Sequence, residues 1–142
     1  LVIEDVDVLL GTEEEFAALL GRDAEGGRAD IVDEVRTYFS QRPGVVVMLK
    51  QGEGGVTAFA EGGKAHTPAF PVEEVSTVGA GDAFAGGLIA ARLGGADWEE
   101  AARFASACAA ITVSRPGCSD GFPSREEAEE YMERPAVAGR VR

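Results

Sequence analysis

Histidine and cysteine are scarce in this chain, with one His and two Cys in 142 residues. His66, Cys108 and Cys118 are the whole supply, so no four-ligand zinc spacing exists, and two thiols are too few for a disulfide scaffold. Both cysteines are expected as reduced thiols, and with no basic leader segment the cytoplasm is the expected compartment. Positive charge is also short: 13 Lys and Arg stand against 25 Asp and Glu, for a net charge of -12. A mean field of that sign repels nucleic acid and anionic membrane, so any phosphate must be bound by a local exception. No apolar run approaches the roughly 18 residues of a spanning helix. What is present is a 45% hydrophobic composition, enough for the core of a single domain and incompatible with a disordered chain.

The apolar residues fall into short runs and helical stripes. Val6 to Leu10, bounded by Gly11, predicts a strand buried on both faces of a parallel sheet. Because Leu1-Val2-Ile3 precedes it at once, the chain reads as a piece that begins inside a domain. Thr12 to Glu15 has the capping-box pattern, and Phe16, Leu19 and Leu20 continue at helical spacing until Gly21. Ile31, Val35, Tyr38 and Phe39 mark a second helix from Asp30 to Gln41. Val45 to Leu49 is a further buried strand. Gly52 to Gly55 and Glu61 to Lys64 read as turns around the strand Val56 to Ala60, so an antiparallel portion makes the sheet mixed. Phe84, Leu88 and Ala91 mark a helix ending at Gly94. Trp98, Ala101, Ala105, Cys108 and Thr112 mark another, and these two Ala-rich helices should pack closely. Ser124 and Glu127 open a short last helix, and 135–142 are expected to fray.

Gly79-Ala80-Gly81-Asp82 places two glycines and a carboxylate at the first turn of a helix. Unpaired N–H groups and the positive dipole end favour an anion there. Asp82 is the only acid between Val75 and Ala96, where Arg92 also lies, and none lies between Ala101 and Ser119, where Arg103 and Arg115 do. Two readings stand at this point: a phosphate seat with a base beside it, or a tight turn whose Asp82 complements the dipole. A dinucleotide fingerprint fails because Phe84 stands where Gly or Ala is needed and a helix follows instead of a strand. A Walker A loop fails because Gly63-Lys64 is followed by Ala65.

The run from Val75 to Gly87 resembles the C-terminal signature of the ribokinase-like, or PfkB, carbohydrate kinases. The resemblance extends through Thr12 to Glu15, at the family's Asn-x-x-Glu element, through the nucleotide loop Lys50 to Gly55, and through Arg103-Phe104-Ala105 to Gly117. It implies the C-terminal part of an α/β sandwich, with residues 1–134 as the nucleotide-binding and catalytic part of a kinase. Such enzymes are roughly twice this length, so the sugar pocket and lid would lie elsewhere, and the chain alone is expected to be weak or inactive. Unpaired strand edges near Leu1 to Leu10 would favour self-association. Phe70 to Glu73 and Val113 to Pro123 are most similar to the kinases of 5-dehydro-2-deoxygluconate, a sugar acid of inositol catabolism. Fructokinases and 2-keto-3-deoxygluconate kinases are the alternatives within the family, and an inactive nucleotide-binding fragment is the alternative outside it.

The resemblance also assigns roles. Asp82 matches the catalytic base, and the backbone of Gly79, Ala80 and Gly81 the anion hole. Lys50, Gly52 and Gly55 match the ATP-binding loop, and Ser106 the lining of the adenine site. Glu15, with Thr12 in place of the family's Asn, matches the glutamate that organises Mg2+, although a capping box accounts for both residues without metal. Ser76, Val78, Thr112 and Gly117 match a monovalent cation site, with Ser76 replacing the usual Asp and so putting K+ dependence in question. His66 and Cys108 read as satisfied or packed, and Cys118 as near the site without visible activation. The implied partners are ATP and a small sugar or sugar acid, with neither nucleic acid nor membrane.

Overall fold

The computed structural model describes residues 5–21, 28–60, 63–117 and 119–134. The expectations placed on Leu1 to Ile3, on Glu61 and Gly62, on Cys118 and on 135–142 lie outside these residues.

The apolar run Val46–Lys50 becomes strand β2, around which the rest is arranged. Side chains alternate across a strand, and here both faces are covered. Val46 and Met48 join a cluster with Phe84, Leu88, Phe104 and Ile111, whereas Val47 and Leu49 join Phe16, Ile31, Val35 and Phe39. Burial on both faces is why the run is apolar without alternation. β1 (Val8–Thr12) lies parallel to it, with Thr12 opposite Lys50. β3 (Val56–Ala60) and β4 (Gly63–Thr67) continue antiparallel on the other side, in the order β1-β2-β3-β4. The sheet is mixed, as its turn chemistry predicts.

Parallel neighbours cannot be joined by a tight turn. The connection therefore carries α1 (Glu13–Leu19) and α2 (Arg28–Ser40), which cover one face. The opposite face is covered by α3 (Ala80–Leu93), α4 (Trp98–Val113) and α5 (Arg125–Met132). Close approach of α3 and α4 depends on Gly87, where an added Cβ would meet Cys108 Sγ at 2.9 Å and Ala105 Cα at 3.1 Å. Both capping boxes form. Thr12 Oγ1 accepts from the Glu15 N–H at 3.2 Å while Glu15 Oε2 accepts from the Thr12 N–H at 2.6 Å, and Ser124 and Glu127 repeat the arrangement.

One strand needs correction. The expected strand Val6 to Leu10 runs instead from Val8 to Thr12, through Gly11, and is covered only in part, with Leu10 packed against the α3 to α5 side and Leu9 against the α1 and α2 side. Val8 is 38% exposed. Among the described residues β1 is an edge strand, paired with β2 alone. Gly11 continues the strand because its missing Cβ leaves room for the Phe16 ring, which would lie 3.1 Å from such an atom.

Candidate active site

The parallel strands β1 and β2 end side by side at Thr12 and Lys50, and the N-terminus of α3 meets them there. Sites in open α/β sheets form at this carboxyl edge. Lys50 Nζ lies 3.6 Å from where a Gly81 Cβ would be, so its ammonium stands at the first turn of α3. Gly79 opens that helix at φ 86°, a left-handed conformation that suits glycine, and no side chain caps it. The Ala80 N–H donates to the Thr77 carbonyl at 3.2 Å, whereas those of Gly81 and Asp82 have no acceptor among the described residues. An exposed first turn with open N–H groups, the positive dipole end and an unpaired ammonium is built to take an anion. Charges beyond about 8 Å are screened at physiological salt, so these local donors outweigh the distant acids.

Asp82 sits on the same turn with its carboxylate exposed, at one end of an open groove of about 200 Å³. The groove also touches Gly86, Phe104, Phe122 and Arg125. The Arg125 guanidinium, 5.3 Å from the Phe104 ring centre, donates to the Ala90 carbonyl at 3.2 Å and so ties α5 to α3 and α4. Sequence reasoning missed this wall, since nothing in an isolated Ser-Arg pair signals it.

The three arginines counted as the local positive charge do other work. Arg92 stacks 4.0 Å from the Trp98 ring centre and donates to the Ala96 carbonyl. Arg103 donates to the Met132 carbonyl at 2.6 Å, and Arg115 pairs with Glu127 at 2.5 Å. Among the described residues, Lys50 is the cation placed at the first turn of α3.

The remaining residues divide. Gly52, at φ 57°, starts a single 3-10 turn through Gly54, and Gly55 closes it at φ 88°. Any Cβ on Gly55 would strike the Thr67 carbonyl at 2.2 Å, so this glycine is required by packing whatever else the loop does. Ser106 is engaged within α4, donating to the Ala102 carbonyl at 2.8 Å. Glu15 Oε2 is held by its cap, while Oε1 has no hydrogen-bond partner among the described residues. No group of three or more His, Cys, Asp or Glu side chains is placed to hold a metal among the described residues. Mg2+ commonly needs only one or two carboxylates when phosphates supply the rest, and Glu15 fits that mode. The monovalent site fits less well. Ser76 Oγ accepts from the Val78 N–H at 3.3 Å, the Thr112 carbonyl accepts from the Arg115 N–H at 3.2 Å, and the Val113 carbonyl accepts from both Val75 and Ser76. Gly117, at φ 104°, lies in the turn beyond α4. Much of the oxygen set is already engaged in hydrogen bonds.

His66 is satisfied, with Nδ1 3.2 Å from Thr57 Oγ1. Burial pushes the Cys108 thiol up to about 11, so it is a protonated packing group.

A model of the pfkB family of carbohydrate kinases matches residues 1–125. The chain belongs to that family. It is 36% identical over 135 residues to a 5-dehydro-2-deoxygluconokinase of Halalkalibacterium halodurans, an alignment covering 94% of this chain and 40% of that protein. Among solved structures it is similar to the ribokinase of Arabidopsis thaliana complexed with ribose and ATP, with a TM-score of 0.81 and 28% identity over 93% of this chain and 42% of the other. A putative ribokinase II from E. coli, solved with ATP and Mg2+, gives a TM-score of 0.77 and 30% identity over 94% and 41% of the two chains. The chain spans about two fifths of the length of these relatives. No helix among the described residues of this pfkB-family chain is long and apolar enough to cross a membrane.

Proposed function

We propose that residues 1–134 are the nucleotide-binding and catalytic part of an ATP-dependent kinase that phosphorylates a hydroxyl of a sugar or sugar acid. The observation that carries this is the convergence of Lys50, the open N–H groups of Gly81 and Asp82, and the Asp82 carboxylate on one helix turn. In-line phosphoryl transfer asks for those parts. The acceptor oxygen bonds to the γ-phosphorus as the bond from that phosphorus to the β-γ bridging oxygen breaks, and ADP leaves with the bond's electrons. Asp82 takes the hydroxyl proton. The N–H groups and Lys50 hold the negative charge on the transferring group, each charge-assisted hydrogen bond contributing about 1.5 to 3 kcal/mol. Magnesium, when bound, would neutralise phosphate charge, with Glu15 reaching it through water and Thr12 beside it.

The acceptor we favour is 5-dehydro-2-deoxygluconate, supported by the name of the 36% identical relative, which would place the protein in inositol catabolism in the cytoplasm. A screen of this acid against fructose and 2-keto-3-deoxygluconate separates the alternatives. Asp82→Asn in the full-length protein keeps size and removes the base. Turnover is expected to fall by about 10² to 10⁴, with ATP affinity nearly unchanged. An Asn variant that melts earlier yet phosphorylates at the parent rate would reduce Asp82 to a partner of the helix dipole.

A further inference from the structure

The glycine loop is held from behind by a chain of side-chain hydrogen bonds that crosses three strand ends. Gln51 Nε2 donates to Glu13 Oε1 at 3.0 Å, Thr57 Oγ1 donates to Gln51 Oε1 at 2.7 Å, and Thr57 Oγ1 lies 3.2 Å from His66 Nδ1. The direction of every bond follows from its end. Ionised, the Glu13 carboxylate can only accept, which turns the Gln51 amide nitrogen toward it and the amide oxygen toward Thr57. The single hydroxyl proton of Thr57 then goes to Gln51, so its oxygen accepts from an N–H at His66 Nδ1. Thr57 is 2% exposed on a strand that is otherwise Val, Ala and Phe.

Gln51 is also the root of the loop in the backbone. Its N–H donates to the Gly55 carbonyl at 2.8 Å and its carbonyl accepts from the Gly54 N–H at 2.9 Å. Lys50, the preceding residue, points its ammonium to the first turn of α3. Gln51 follows directly on Lys50, the last residue of β2, so the backbone held where Gln51 Nε2 meets Glu13 is the backbone that carries Lys50 toward the first turn of α3.

We propose that Thr57 is a positioning residue for nucleotide binding, acting through Gln51 to hold the Gly52 to Gly55 loop and to aim Lys50 at the phosphate seat. This rests on the reading of the α3 N-terminus as that seat. A wholly apolar strand would remove the hydroxyl that donates to Gln51 Oε1, and next to the buried Thr57 the loss of that hydrogen bond is larger than at the surface.

The test uses the full-length protein and a non-hydrolysable ATP analogue, with Thr57→Val, Thr57→Ser and Gln51→Met beside the parent. Thr57→Val keeps the shape and removes the hydroxyl, and its dissociation constant is expected to rise about five- to tenfold, the equivalent of one lost net hydrogen bond. Thr57→Ser should restore binding to within about twofold of the parent, which bulk damage to packing would not allow. Gln51→Met cuts the chain outside the core, so it reports even if the Val variant does not fold, and it should weaken binding as Val does. Parent-like affinity in a folded Val or Met variant overturns the positioning role while leaving the seat in place. Failure of the parent itself to bind the analogue overturns both.

Discussion

Glu15 is a side chain on which a structural demand and a proposed metal demand fall together. Its Oε2 receives the Thr12 N–H at 2.6 Å and closes the capping box, while Oε1 has no hydrogen-bond partner among the described residues and is the atom that the proposed metal-bound water would meet. Glu15→Gln separates these demands because an amide oxygen still accepts the cap hydrogen bond but carries no charge. In the full-length protein the melting temperature should stay within about a degree or two, while the magnesium concentration needed for half-maximal rate rises. A magnesium titration that superimposes on the parent's would leave Glu15 as a cap only. Lys50 makes the complementary point. Its motif position was legible in the sequence, but its direction was not, because that depends on where the α3 N-terminus docks, about 30 positions further along the chain. Arg92, Arg103 and Arg115 misled for the same reason: charge counted along a chain says nothing of which carbonyl, ring or carboxylate each side chain finds.

Among the elements, the helices follow their caps closely. Thr12 and Ser124 announced α1 and α5, and the Phe84, Leu88, Ala91 stripe announced α3, since local hydrogen bonds and a 3.6-residue period are properties of contiguous sequence. β1 was harder, because an apolar run looks the same in a central strand and at an edge. The α5 cap has a consequence for pH. The Arg115 guanidinium, the larger influence, and the Ser124 N–H hold the Glu127 carboxyl below its ordinary value of 4.5. A depressed folded value means the ionised form favours the folded state. The contribution is therefore complete above about 4.5 and is lost as pH falls through the lower, folded value. Between about pH 6 and about pH 3 the parent should lose more thermal stability than Glu127→Gln, which keeps an oxygen for the cap but cannot titrate. Equal acid sensitivity in the two proteins would count against this anchor for α5.

At the scale of the molecule, the chain lays down its two outer layers in turn. Everything that covers the first face, α1 and α2, precedes β2, and α3 to α5, which cover the second, follow β4. The faces meet only through the alternating side chains of the sheet, with Val47 and Leu49 on one side and Val46 and Met48 on the other. Core substitutions on opposite faces should then behave as independent perturbations. Val35→Ala with Leu88→Ala is expected to sum to within about 0.5 kcal/mol of the separate losses in denaturant unfolding, whereas Val35→Ala with Val47→Ala, on one face, should depart from additivity. A coupling of about 1 kcal/mol or more across the sheet would mean that the strands transmit strain. Where additivity holds, the sheet insulates: sequence drift in the apolar packing of the α1 and α2 layer, away from Glu13 and Glu15, can proceed without readjusting the α3 turn that carries Asp82, so the two cores are free to evolve at different rates.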